Sequence, residues 1–333
     1  MEDDNPREML LQMASGYWVS KALHCAAKFA WADHIHGGKT AVGEIAAASG
    51  TVPELTHRVL RALASLGIFE ETDPGHFGLT EAAERLRSDH PESVRDFVHM
   101  VGWDLFEAWG HLDDTLQGGP PGIFDAFGDN YFREISSDPE KVRVFDGAMQ
   151  VIHGGETEFL LGQHDFSHHQ VFMDVGGGNG SNLHGFLTKY QNAKGILFDL
   201  PPVVGGAQST LPEDEARSRI EFRGGDFFQE VPGQADAIML RHIVHDWNDD
   251  DSATILRNAT AALAPGGMIY IIEKIIAPGN DPGFEKLLDL NMMVIGGKER
   301  TREQYQALAA AAGLKVAAIP VLPGPVDLIC LEA

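Results

Sequence analysis

Between residues 7 and 35 apolar side chains recur at Met9, Leu10, Met13, Trp18, Ala22, Leu23 and Ala26, the three-to-four spacing of a helix with one apolar face. Tyr17 and Trp18 enlarge that face, which needs a cover from its own domain or from a second subunit. The stretch TAVGEIAAASGTVPELTHRVLRALASLGIFEETDPGHFGLT then predicts a short helix, a turn at Ser49-Gly50, a second helix over 53–66 and a hairpin. In the hairpin, 68–71 and 76–79 flank the turn Asp73-Pro74-Gly75. A helix-turn-helix with a wing either binds DNA or packs as a structural, dimerising unit. Residues 81–165 read as mostly helical and rich in aromatic and methionine side chains, among them Trp103, Phe106, Trp109, Phe132, Phe145 and Met149. Most of these belong to a core, and some can line a pocket for a flat apolar ligand.

After about residue 165 the rhythm changes. The strands VFMDV, GILFDL, IEFRGGD, ADAIMLRHI and MIYIIEKI alternate with helical segments such as SNLHGFLTKY, 203–210, 251–263 and 301–312, and two late strands fall near 315–320 and 326–331. Alternation of this kind predicts α/β architecture, a doubly wound Rossmann-like sheet whose ligands sit at the carboxyl ends of its strands. The division expected is a winged-helix dimerisation domain over 1–95, a helical linker and substrate-pocket segment over 96–165, and the sheet domain over 166–333.

Charge narrows the partners. With 25 basic and 49 acidic residues the formal charge is −24, which repels phosphate backbones and anionic membranes. The predicted recognition helix offers only His57, Arg58 and Arg61 to DNA, so the structural reading is preferred and no nucleic-acid partner is expected. The two cysteines, Cys25 and Cys330, lie far apart without CxxC spacing, which points to a reducing compartment and away from a zinc module. The start, MEDDNPREML, is acidic where a signal peptide is basic. No apolar run reaches the ~18 residues of a membrane span. A cytoplasmic protein is expected.

The chemistry gathers after the strands. In Asp174-Val175-Gly176-Gly177-Gly178-Asn179-Gly180 the glycines let a ligand approach the backbone, and the spacing is GxGxG, not the GxGxxG of dinucleotide sites. No Lys or Arg follows until Lys189, which suits a cationic or zwitterionic ligand better than a pyrophosphate. Asp199 ends the second strand, where a carboxylate can accept from ribose hydroxyls, although NAD proteins place an acid there too. Asp226, followed by Phe227, can accept from an adenine amine beside a ring that stacks. Three strand-end acids, Asp174, Asp199 and Asp226, would line a positive ligand, and S-adenosylmethionine is one. Farther on, LRHIVHDWNDDD carries His242 and His245. His242, in or just past its strand, suits a buried, hydrogen-bonded role. His245 could be structural, a metal ligand with Asp246 or Asp249, or a base; the acids also fit a helix N-terminus, where they favour the dipole. Phe145, Met149 and His153 are spaced one helical turn apart and share a face; with Met292 and Met293 they would shape a flat apolar slot.

Taken in order, DVGGGNG, FDLP, GGDFF, RHIVHDW, LAPGG and GGKERT resemble the small-molecule O-methyltransferases of the plant caffeic acid type and of bacterial natural-product pathways. The resemblance spans essentially the whole chain. It implies S-adenosylmethionine as cofactor, a homodimer and a small hydroxylated aromatic acceptor. It places Gly176 under the methionine part, Asp199 at the ribose, Asp226 and Phe227 at the adenine, and Arg241 where plant members usually carry lysine, with Gly178 and Leu200 as further cofactor contacts. It makes His245 the general base, oriented by Glu273 and Glu299, with no metal required. Two rivals are an NAD-dependent oxidoreductase and a non-catalytic winged-helix regulator that binds a ligand.

Overall fold

A computed structural model describes residues 5–136 and 138–333. Met1 to Asp4, which carry much of the acidic start, lie outside the described residues. The chain forms two compact units, one of residues 1–110 and 126–154, the other of 111–125 and 155–333. The helical segment 96–165 is therefore shared between them.

In the first unit the helix Pro6–Lys28 starts at Asn5, whose side chain accepts from the Arg7 N–H at 3.1 Å. The helical pattern read through residue 35 is interrupted: Ala30 takes φ of 51°, and a second helix, Trp31–His36, turns Trp31 into the core. Met9, Leu10, Leu11, Met13, Tyr17 and Trp18 stay exposed. The helices Val42–Ser49 and Pro53–Ser65 and the hairpin β1 (Phe69–Asp73) and β2 (His76–Leu79) follow the expected order. Ile45, Leu60, Leu63, Phe69 and Phe77 are fully buried around Trp31. The hairpin turn is pinned by Glu71, which accepts from the Gly75 N–H and meets His57 at 3.2 Å.

The second unit is built on a seven-stranded sheet. Its strands are β3 (Val171–Val175), β4 (Lys194–Asp199), β5 (Ile220–Gly224), β6 (Ala235–Arg241), β7 (Leu263–Glu273), β8 (Lys315–Ala318) and β9 (Asp327–Glu332). The order is β5-β4-β3-β6-β7-β9-β8, parallel except for β9, which runs antiparallel to both neighbours. The central strands read as unbroken apolar runs because both faces are covered. Alternate residues go to opposite sides: Met173, Val175, Ile238, Leu240, Ile269 and Ile271 pack in one core, Phe172, Ala237, Met239, Tyr270 and Ile272 in the other. Strand order reverses between β3 and β6, so the crevice at their carboxyl ends is the switch point where ligands bind. The glycine loop leaves β3 there. A helix absent from the sequence expectations, Phe284–Ile295, follows the loop after β7 and carries Met292 and Met293.

Candidate active site

The glycine loop is shaped for close approach. Gly176, Gly178 and Gly180 have φ of +70°, +56° and +79°. A Cβ on Gly176 would stand 2.4 Å from Cδ1 of Ile243 and 3.8 Å from Cε1 of Phe227, so the loop, the segment after β6 and the Phe227 ring already touch. Asp199 accepts from the Gly178 N–H at 2.9 Å and the Leu200 N–H at 2.7 Å, which fixes its carboxylate beside the loop; burial raises its pKa. Leu200 is exposed and caps the helix Pro201–Thr210. Asp226 is exposed and accepts from the Phe228 N–H at 2.8 Å, while Phe227 packs edge-on to Phe228 and Trp247. Acids after β4 and β5, a bare glycine loop after β3 and an aromatic ring at its edge fit a sulfonium nucleoside without phosphates.

Asp174 is placed differently from the other two acids: it is buried and accepts from Nδ2 of Asn182 at 3.0 Å, and burial raises its pKa. A strand-end residue can point under the crevice, and here the side chain is enclosed by the helix Ser181–Lys189. Arg241 stands at the end of β6 with Nη1 3.7 Å from Glu156, and its charge acts on Asp174.

After β6 the chain turns sharply. His242 holds φ of +54°, a sparsely populated region for a residue with a Cβ. Its Nε2 meets Glu156 at 2.8 Å, and its N–H donates to Ile272 at 3.1 Å. Val244–Asp246 then form one 3₁₀ turn that carries His245 inward. The imidazole is buried. Nδ1 lies 2.6 Å from Oε1 of the buried Glu299, a hydrogen bond in which Nδ1 donates to the carboxylate. Only one of the two glutamates expected to orient the ring meets it. Glu299 holds the ring, but Glu273 does not touch it; Oε1 accepts from the Ile243 and His245 N–H groups at 3.1 and 3.0 Å, and Oε2 accepts from the Tyr305 hydroxyl. Glu273 therefore orients the turn, not the imidazole.

Asp246, overlooked as anything but a possible metal ligand, puts Oδ1 3.6 Å from Nε2 of His245. Burial opposes charge on His245, but Asp246, Glu299 and Glu273 outweigh it and raise its pKa to about 10. Burial likewise raises Asp246 to about 7, and it raises Glu273. The imidazole stands inside an acidic cage.

The acceptor-slot candidates fall in different units. Phe145, Met149 and His153 lie on the helix Pro139–His153, where Phe145 meets Tyr131 and Phe132 edge-on. In the other unit Met292 is buried and Met293 half-buried.

A glycine crevice at the switch point, strand-end acids and a buried imidazole define the methyltransferase class within α/β proteins. Residues 109–315 match the model of the O-methyltransferase domain, and residues 11–89 that of the O-methyltransferase dimerisation domain. The chain is 38% identical over 326 residues to a phenazine O-methyltransferase of Lysobacter antibioticus, covering 98% of this chain and 95% of that one. It is 31% identical to a phenazine-1-carboxylate N-methyltransferase of Pseudomonas aeruginosa, over 94% and 93% of the two chains. An O-methyltransferase from neocarzinostatin biosynthesis, crystallised with S-adenosylmethionine and 2-hydroxy-5-methyl naphthoic acid, superposes with a TM-score of 0.85 at 30% identity over 94% and 95% of the chains. The protein belongs to the O-methyltransferase family. It is an S-adenosylmethionine-dependent enzyme, which removes the oxidoreductase and the non-catalytic regulator as readings.

Proposed function

We propose that the enzyme methylates a hydroxyl of a small aromatic metabolite and that His245 is its general base. The observation that carries this is the buried imidazole with Nδ1 bound to Glu299 and Nε2 turned to the acidic turn. A phenol ionises near pKa ~10 and is a poor nucleophile at neutral pH. Nε2 takes the hydroxyl proton as the oxygen attacks, and the imidazolium formed is stabilised by Glu299 and Asp246. S-adenosylmethionine supplies the methyl group from its sulfonium, and S-adenosylhomocysteine leaves. Gly176, Gly178, Asp199, Leu200, Asp226, Phe227 and Arg241 are the proposed cofactor contacts. Much of the remaining catalysis is the positioning of two reactants.

The carboxylate cage makes His245 a stronger base than free imidazole, matched to a phenol. The same shift keeps nearly all of it protonated at neutral pH, so the rate rises with pH through its titration. Phe145, Met149, His153, Met292 and Met293 are the proposed acceptor contacts, on the strength of their apolar and polarisable side chains. The exposed apolar face of Pro6–Lys28 and the dimerisation-domain match support a homodimer. No helix among the described residues is long and apolar enough to cross a membrane. The acidic charge and the two distant thiols support a cytoplasmic enzyme without nucleic-acid partners.

The test is His245→Ala, assayed against a panel of aromatic alcohols and amines. It should bind S-adenosylmethionine as the parent does and lose about 10²–10⁴ in methyl-transfer rate, the usual worth of a positioned base. A parental rate with an unchanged pH profile sinks the mechanism; preferential turnover of amines by the parent would replace the hydroxyl by nitrogen.

A further inference from the structure

The segment Gly297-Lys298-Glu299-Arg300 wraps the turn that carries His245. A Cβ on Gly297 would stand 2.1 Å from the His245 carbonyl oxygen, so only glycine lets the two strands of chain pass. Lys298 donates its N–H to that same oxygen at 2.8 Å. Glu299 holds the imidazole. Arg300, next along, is fully buried.

A buried guanidinium is costly to desolvate unless its donors are satisfied. Here they are, by two main-chain carbonyls, a hydroxyl and one carboxylate. Nη1 donates to the Val244 carbonyl at 2.9 Å. Nη2 donates to the Trp247 carbonyl at 3.0 Å and to Oγ of Ser252 at 3.1 Å. Nε donates to Oδ1 of Asp249 at 3.0 Å, an oxygen that Nη2 also approaches to 2.9 Å, and the Asp249 side chain is itself 59% exposed. Val244 and Trp247 bracket His245 and Asp246. The planar fork has fixed donor spacing, which a lysine ammonium lacks.

We infer that Arg300 is a positioning residue for proton transfer, clamping the main chain on both sides of His245 and so fixing where Nε2 points. This rests on the reading of His245 as the base. The clamp acts with Glu273, which holds the Ile243 and His245 N–H groups of the same turn. One acid tethers the turn's donors and one guanidinium its acceptors, leaving the imidazole little freedom beyond rotation against Glu299.

Arg300→Lys keeps the charge and loses the fork. It should lower kcat by roughly 10- to 100-fold, as small misplacements of reacting groups do. KM for S-adenosylmethionine should stay near the parental value, and the rising limb of the pH–rate profile should move, since Nε2 changes its distance to Asp246. Asp249→Asn removes the carboxylate charge that Nε and Nη2 meet and spares the carbonyl clamp, so it should keep kcat within a few-fold of the parent. Should Arg300→Lys not fold, Ser252→Ala carries the test: it frees one anchor of the fork and should lower kcat several-fold with a displaced pH limb. Parental kcat and pH profile in the folded variant overturn the inference, as does an Asp249→Asn loss equal to that of Arg300→Lys, which would make the ion pair the working element. His245→Ala, run alongside, separates the two ideas. If it is inactive while Arg300→Lys is parental, the base stands and only the clamp falls; if it is active, the base itself falls.

Discussion

If His245 is the base proposed above, Glu299→Gln removes one charge from the carboxylate cage around it and little volume. In the parent, Oε1 of Glu299 lies 2.6 Å from Nδ1 of His245 with both groups buried, and Oε2 has no hydrogen-bond partner among the described residues. The carboxylate's charge therefore acts chiefly on the imidazole. A hydrogen bond to a charged group contributes about 1.5–3 kcal/mol. At ~1.36 kcal/mol per pKa unit, losing it lowers the His245 pKa by roughly 1–2 units. Two effects follow with opposite signs. The rising limb of the pH–rate profile moves to lower pH, because neutral imidazole appears earlier. The plateau rate at high pH falls by about 10- to 100-fold, because the imidazolium formed in the transition state loses the same 1.5–3 kcal/mol. An amide can also offer its NH2 to Nδ1, which leaves the proton on Nε2 and deepens the loss. The assay is single-turnover methyl transfer at saturating S-adenosylmethionine over pH 6–11, with cofactor affinity measured by calorimetry. A plateau within twofold of the parent and an unmoved limb would refute the assignment of Glu299. A fall in cofactor affinity that accounts for the whole effect would refute it equally.

Asp199→Ala should weaken S-adenosylmethionine binding by about 1.5–3 kcal/mol, since a charged acceptor is lost and Gly178 is untethered; calorimetry showing parental affinity contradicts the cofactor site. Sedimentation at micromolar concentration should give a species of twice the 36.2 kDa chain; a monomer contradicts the dimer.

The sheet was legible because its strands are apolar runs separated by glycine, proline and acids, and burial on both faces writes that pattern directly into the chain. The shape of the glycine loop was legible for a related reason: glycines and strand-end acids are local signals. What stayed hidden depends on contacts between distant residues. Glu156 meets His242 across 86 positions, and nothing near either residue announces the other. Glu273 stands in register to be read as an orienting acid, but whether it holds ring or backbone is decided only by folding. Asp174 shares its strand-end position with Asp199 and Asp226, yet its side chain bonds to Asn182 of the helix Ser181–Lys189, and a pattern that predicts that helix does not say which way the carboxylate points. The helix Phe284–Ile295 was missed because IIAPGNDPGF before it reads as loop. Ala30, in a left-handed conformation that its side chain does not favour, breaks a pattern that otherwise reads as one helix.

The tether between Glu273 and the N–H groups of Ile243 and His245 has a consequence in time. Amides in irregular segments usually exchange with solvent through small local openings, at far lower free energy than core strands. These two amides belong to no strand, yet their acceptor is a fully buried carboxylate that ends the central strand β7 and holds the Tyr305 hydroxyl. Deuterium should therefore enter at Ile243 and His245 about as slowly as at the neighbouring β6 and β7 amides, and far more slowly than in the loop after β7. The His245 turn would then open only with the sheet, so that methyl-transfer activity should be lost on heating only as this unit unfolds globally.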